Sequence, residues 1–203
     1  MRRTALAVAV VDLAAVTSLV VFFAVGGPFG AANDVLNAAM GVLSALLAWQ
    51  HHGAAARGRT GLSAVGAAGL GGVVMAVGSF LVISGITGWY LAGLVSSVGA
   101  AAIGAWLVTA NQAVAVATDR PPGATVPGSS RLRQAAGAVM LLGVLCLPGV
   151  LSGIDDQALA PWYVVVGQLG WLGTYVLYPA WCLRLAACLR AGAPGPGAML
   201  SPR

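Results

Sequence analysis

Few residues in this chain could do acid, base, nucleophilic or metal chemistry, and their spacing removes most of the options. The only histidines, His51 and His52, are adjacent, so on a helix they point about 100° apart and cannot face each other across a haem. They read as interfacial residues near a helix C-terminus, where a cation is favoured. Cys146, Cys182 and Cys188 form no Cys-x-x-Cys pair, which argues against thiol oxidoreductase chemistry and leaves each as a small hydrophobe. Ser84 and Ser152 each precede a glycine, but a serine nucleophile needs a base and no histidine lies near either. There is no lysine, so no Gly-rich phosphate loop of the lysine type can form. Neither an enzyme nor a cofactor or metal protein is expected.

What survives is a set of polar residues inside apolar stretches. Asp12 lies seven residues beyond Ala5, about 10 Å into an apolar segment at 1.5 Å per residue. An ionised carboxylate there costs about 2.5 to 3.5 kcal/mol on insertion scales, so Asp12 should face protein or water. Asn111, Gln112, His51 and Arg184 are its expected partners, and it reads either as a coupling acid or as a structural tie. A second set is the stripe Gln168, Trp171, Tyr175, Tyr178 and Cys182, spaced three, four, three and four, which is one helical face. Trp171 and Tyr175 fall near mid-segment rather than in an interfacial belt, where their polar tips need partners. Pro179 should kink the helix and free a carbonyl near Tyr175. A third set gathers Asn33, Asp34 and Asn37 with Asp155, Asp156 and Gln157. Asn33 or Asp34 reads as an N-cap, and Asn37 with Gln168 suggests a shallow polar vestibule that suits cations or neutral solutes.

The elements holding these residues follow from composition. The chain has 203 residues, is 59% hydrophobic and only 7% charged, with a mean hydropathy of +0.91. Soluble domains carry roughly 25% charge, so the expectation is an all-α integral membrane protein. About 20 apolar residues cross a bilayer core, and six such stretches occur, over 5–25, 31–50, 61–86, 89–117, 134–153 and 161–183. They should form a single domain over 1–190. The Pro- and Gly-rich residues 118–133 read as a flexible linker and 191–203 as a disordered tail. The first stretch resembles a signal peptide in its Met1-Arg2-Arg3 start, but it is too long and lacks a cleavage pattern, so it is expected to be retained.

Charge sets the expected orientation. All ten basic residues are arginine and all five acidic residues aspartate, a bias that suits a GC-rich bacterial genome. With six crossings, every arginine falls on the same side as the termini, while the opposite loops hold Asp34, Asp155 and Asp156. Basic loops stay inside, so both termini are expected in the cytoplasm and the protein in the bacterial inner membrane. The net charge of +5 is dispersed in small groups with no basic face, which excludes nucleic acid as a partner. The expected partners are the lipid bilayer and a second copy or a membrane subunit.

Two further patterns bear on packing. Val82-Ile83-Ser84-Gly85-Ile86 with Trp89-Tyr90 matches Val150-Leu151-Ser152-Gly153-Ile154 with Trp162-Tyr163. This reads either as a duplicated hairpin or as ordinary helix-ending chemistry. Small residues also recur every four positions, in Gly93, Ser97, Ala101 and Ala105, in Ser96, Ala100 and Gly104, and in Ala64, Ala68 and Gly72. Such rows let helix backbones approach closely in lipid, and they predict a tight contact between the third and fourth helices. No motif supports a family. The expected function is transport or permeation of a small polar or cationic solute by Asp12, Asn37, Gln168, Trp171 and Tyr175. The alternative is a non-catalytic subunit or scaffold that associates through its small-residue faces.

Overall fold

The computed structural model describes residues 1–55, 59–116 and 130–191. Among these residues it is all helical, without strands, and six helices are long and apolar enough to cross a membrane. The first four are Arg2–Val25, Phe29–Ala55, Arg59–Ile83 and Trp89–Val116. The fifth is α-helical over Ser130–Leu141, tightens to a 3-10 helix over Leu142–Cys146 and ends in Leu147–Leu151. The sixth runs through Trp162–Gln168 and Gly170–Leu172, widens to a π-helical turn over Gly173–Leu177, and continues as Tyr178–Ala191.

Both irregular stretches lie just ahead of a proline, Pro148 and Pro179. A proline inside a helix donates no N–H and its ring crowds the carbonyl four residues back, so the preceding turn departs from α spacing. The kink expected at Pro179 therefore takes the form of a π turn around Tyr175. Several expected boundaries move. The second helix continues to Ala55, and the third stops at Ile83 rather than at 86. The last four residues of the expected linker, 130–133, begin the fifth helix, and 118–129 lie outside the described residues. Of the expected tail, only Ala191 is described, as the end of the sixth helix.

The third helix stops early because Gly85 takes a left-handed φ of 71°, which an L side chain resists. The Gly85 N–H then donates to Val82 O at 3.0 Å, the Ile86 N–H to Leu81 O at 3.0 Å, and the Ser84 hydroxyl to Phe80 O at 2.7 Å. Gly153, with φ 66°, repeats the pattern through Val150, Gly149 and Pro148. The aromatic pairs match as well, Trp89 on Tyr90 and Trp162 on Tyr163 both edge-on. Helix-ending chemistry of the Schellman type accounts for the Ser-Gly-Ile part of the repeated segment.

Consecutive helices pack side by side and the sixth returns to the first, closing a ring. Its core holds Val8, Met40, Leu47, Met75, Ile103, Trp106, Met140, Tyr178 and Trp181. The third and fourth helices do make the most extensive contact; of the expected rows Ser96 takes part, against Gly78, while the other close approach, at Gly71 and Gly99, falls outside them. A Cβ on Gly71 would lie 2.5 Å from Gly99 O, whereas one on Gly72 would lie 2.6 Å from Gly41 O of the second helix. Adjacent residues point about 100° apart, so Gly71 and Gly72 serve two different neighbours. Gly104, from the expected row, meets Gly137 of the fifth helix instead.

Candidate functional site

The helices do not close the ring along its whole length. The first packs against Tyr178–Ala191 of the sixth but makes no comparable contact with Trp162–Gln168. At the end remote from the termini, this parting leaves a cavity of about 600 Å³ inside the bundle. Asn37, Gln168, Trp171 and Tyr175 all line it, brought together from the second and sixth helices. Leu19, Phe22 and Phe23 of the first helix, Ile83 of the third and Trp89 of the fourth supply apolar wall. Phe23 and Trp89 approach edge-on at 6.4 Å across the rim.

A hydrogen-bonded floor closes the cavity below. The Tyr175 hydroxyl lies 3.0 Å from Asn37 Oδ1 and 3.2 Å from Asn33 Oδ1, sharing its one proton between them. Its ring is stacked on Trp171, with centroids 5.0 Å apart and planes 15° apart. Tyr175 is 7% exposed, and Asn33 and Asn37 are buried, so each depends on these bonds to offset desolvation. Gln168 and Trp171, nearer the mouth, are half-buried. Tyr175 lies about 20 Å along the helix from Trp162 at the normal rise.

One layer deeper, the Tyr178 hydroxyl donates to Ser44 Oγ at 2.9 Å, and the Ser44 hydroxyl donates to Met40 O at 2.7 Å. Tyr178 stacks on Trp181, which meets Trp106 edge-on, and Trp106 meets His51 the same way. His51 is thus buried against an aromatic ring rather than interfacial.

Asp12 stands apart from the other four predicted residues. It does not line the cavity, it is fully buried, and neither carboxyl oxygen has a hydrogen-bond partner among the described residues. Its polar neighbours are Tyr175, Tyr178 and Cys182 of the sixth helix. Of the expected partners, neither Arg184 nor His51 reaches it. Arg184 is exposed, His51 turns to Trp106, and the side chains of Asn111 and Gln112 lie outside the described residues. The reason is rotational: Tyr178 and Cys182 lie on the buried side of the sixth helix and Arg184 on its exposed side.

The third polar group divides. The second helix begins at Phe29, so Asn33 and Asp34 lie inside it and cap nothing. Both line the cavity, as does Gln157. Asp155 instead accepts from the N–H groups of Gly88 at 2.6 Å and Leu91 at 3.0 Å, capping the fourth helix, and Asp156 caps Gln157–Leu159. Reasoning from sequence missed Ser44 and the aromatic walls. One signal was available: Asn33, Asn37, Ser44 and His51 are spaced four, seven and seven, one face of the second helix.

The arrangement defines a six-helix, apolar protein with a polar-floored cavity at one end and an unpaired carboxyl beneath it. No protein-family model, curated protein or solved structure matches the chain.

Proposed function

We propose that this protein is a multi-pass component of the bacterial inner membrane, with both termini cytoplasmic, that admits a small polar or cationic solute from outside. The cavity is then an outward-facing vestibule, and the floor of Tyr175, Asn33 and Asn37 is the barrier the solute must open. The observation that carries this reading is the fully buried, unpaired carboxyl of Asp12 below that floor. Such a group is expensive in an apolar interior, and buried ionisable residues at membrane depth usually lie on ion or proton pathways. The pairs Tyr175 with Asn37 and Tyr178 with Ser44 supply polar groups at successive depths alongside it. Among the described residues no arginine lines the cavity, which favours cations and neutral solutes over anions.

The test is flux into proteoliposomes holding the full chain, followed for a panel of small cations, neutral polar solutes and protons. Parent protein should carry at least one of them, and Asp12→Leu should abolish that flux. A parent rate no higher than that of empty liposomes for every solute in the panel would overturn this reading. That result would favour a scaffold, whose remaining support is an apolar groove of about 400 Å³ beside Gly69 and Gly72. Orientation has its own check. Cytoplasm-dependent reporters fused after Arg59, Pro127 and Arg203 should be active, and those fused after Gly30 and Asp156 inactive.

A further inference from the structure

The walls of the cavity are more selective than its polar floor. Among the described residues its one charged lining residue is Asp34, half-buried one turn into the second helix. Around it stand the rings of Phe22, Trp89, Trp171 and Tyr175, and no cationic residue. A carboxylate on a largely apolar wall is poorly solvated, and the lining offers it the Asn33 side chain as a hydrogen-bond partner but no opposite charge among the described residues. An inorganic cation is an unsuitable counter-ion, because it would give up strongly held water for aromatic faces. Among the described residues there is also no group of three His, Cys, Asp or Glu side chains that could replace that water. A weakly hydrated cation with carbon substituents meets both requirements. Its charge is attracted by Asp34 and by the negative faces of aromatic rings, and its carbon shell is at home on Phe22 and Leu19. The half-buried ring of Trp171, held in place by its stack on Tyr175, is a preformed wall for it.

We propose that the vestibule binds an organic ammonium group, with Asp34 as its counter-ion and Trp171 and Tyr175 as its aromatic platform. This rests on the vestibule reading and names its ligand class. The group could arrive as a free amine from the outer solution or as a lipid headgroup entering where the first and sixth helices part. Asn33, Asn37 and Gln168 stand around the same space and accept hydrogen bonds from a partly substituted ammonium.

The experiment is a tryptophan-fluorescence titration of the purified full chain in nanodiscs, using choline and dimethylbutanol, its uncharged carbon analogue. Choline should bind saturably and about tenfold or more tightly than dimethylbutanol, consistent with a charge and cation–π contribution. Asp34→Asn should erase that preference and Asp34→Glu should restore it, with the helical content of each variant checked by circular dichroism. Equal binding of the two compounds, or an Asp34→Asn chain that keeps the preference, overturns the ammonium assignment and leaves the vestibule as a neutral-solute site. Binding of neither compound, nor of any neutral polar solute, overturns the vestibule itself. Comparing discs of phosphatidylcholine with discs of phosphatidylglycerol separates the sources. Competition confined to phosphatidylcholine supports a lipid headgroup, and equal affinity in the two supports a free amine.

Discussion

The two halves of the sixth helix carry similar side chains and serve different ends. Trp171 stacks on Tyr175 in the half that leaves the first helix, and Tyr178 stacks on Trp181 in the half that packs against it. The ring geometry is nearly the same, with interplanar angles of 15° and 14°. Trp171 is half-buried on a cavity wall, whereas Trp181 is 2% exposed in the core. The π turn over Gly173–Leu177 lies between them. An aromatic stripe is therefore not a site or a core by its composition. The neighbouring helix decides, by being present or absent at that depth.

The largest effect that tests this contrast comes from truncating the two tryptophans. Trp181→Ala empties a packed position and should cost about 3 to 5 kcal/mol of stability. Trp171→Ala removes a ring that already borders open space and should cost less than half as much. Denaturation in a defined detergent measures both, and equal losses would erase the distinction between the halves.

Next comes Asp12. A carboxyl with partners would make Asp12→Leu destabilising, and that is the natural expectation from the sequence. Because the structure gives it no hydrogen bond, Asp12→Leu should instead leave stability unchanged or raise it by about 1 to 3 kcal/mol, the cost of an unsatisfied buried polar group. Asp12→Asn should fold as well as the parent. A clear loss of stability in Asp12→Leu would mean the carboxyl is held by a group not seen to bond it.

The two tyrosine hydroxyls give a finer contrast. Tyr175→Phe strands two buried amide oxygens, of Asn33 and Asn37, and should cost about 1 to 3 kcal/mol. Tyr178→Phe leaves Ser44 bonded to Met40 O and should cost only about 0.5 to 1.5 kcal/mol. Reversal of that order in thermal melts would show that the floor is weaker than the layer below it.

The smallest perturbation is a single thiol. In a chain lacking Cys146, Cys182 and Cys188, Gln168→Cys should react with a small membrane-impermeant reagent added from outside, and Tyr175→Cys should not. Labelling of 175 at a rate near that of 168 would mean the floor is open.

Much of this was legible in the residues themselves. The six apolar stretches, their approximate ends and the shared face of Gln168, Trp171 and Tyr175 follow from hydropathy and from the fixed pitch of a helix, which are local properties. Asn37 was legible as a polar residue in an apolar helix, but its tie to Tyr175 crosses 138 positions of chain, and no spacing rule reaches that far. The same holds for Asp155, which looked like vestibule and caps the fourth helix across 67 and 64 positions.

The division has a physical reason. Composition and periodicity determine that the chain forms long apolar helices, because unpaired backbone groups are too costly in an apolar medium for any other local structure. Which face of each helix meets which neighbour depends on the rotation and tilt of whole helices, and close glycine contacts such as Gly71 with Gly99 set these. Only that tertiary arrangement put Asn33 and Asn37 against Tyr175, turned His51 and Arg184 away from Asp12, and parted the first and sixth helices at one end to leave a cavity.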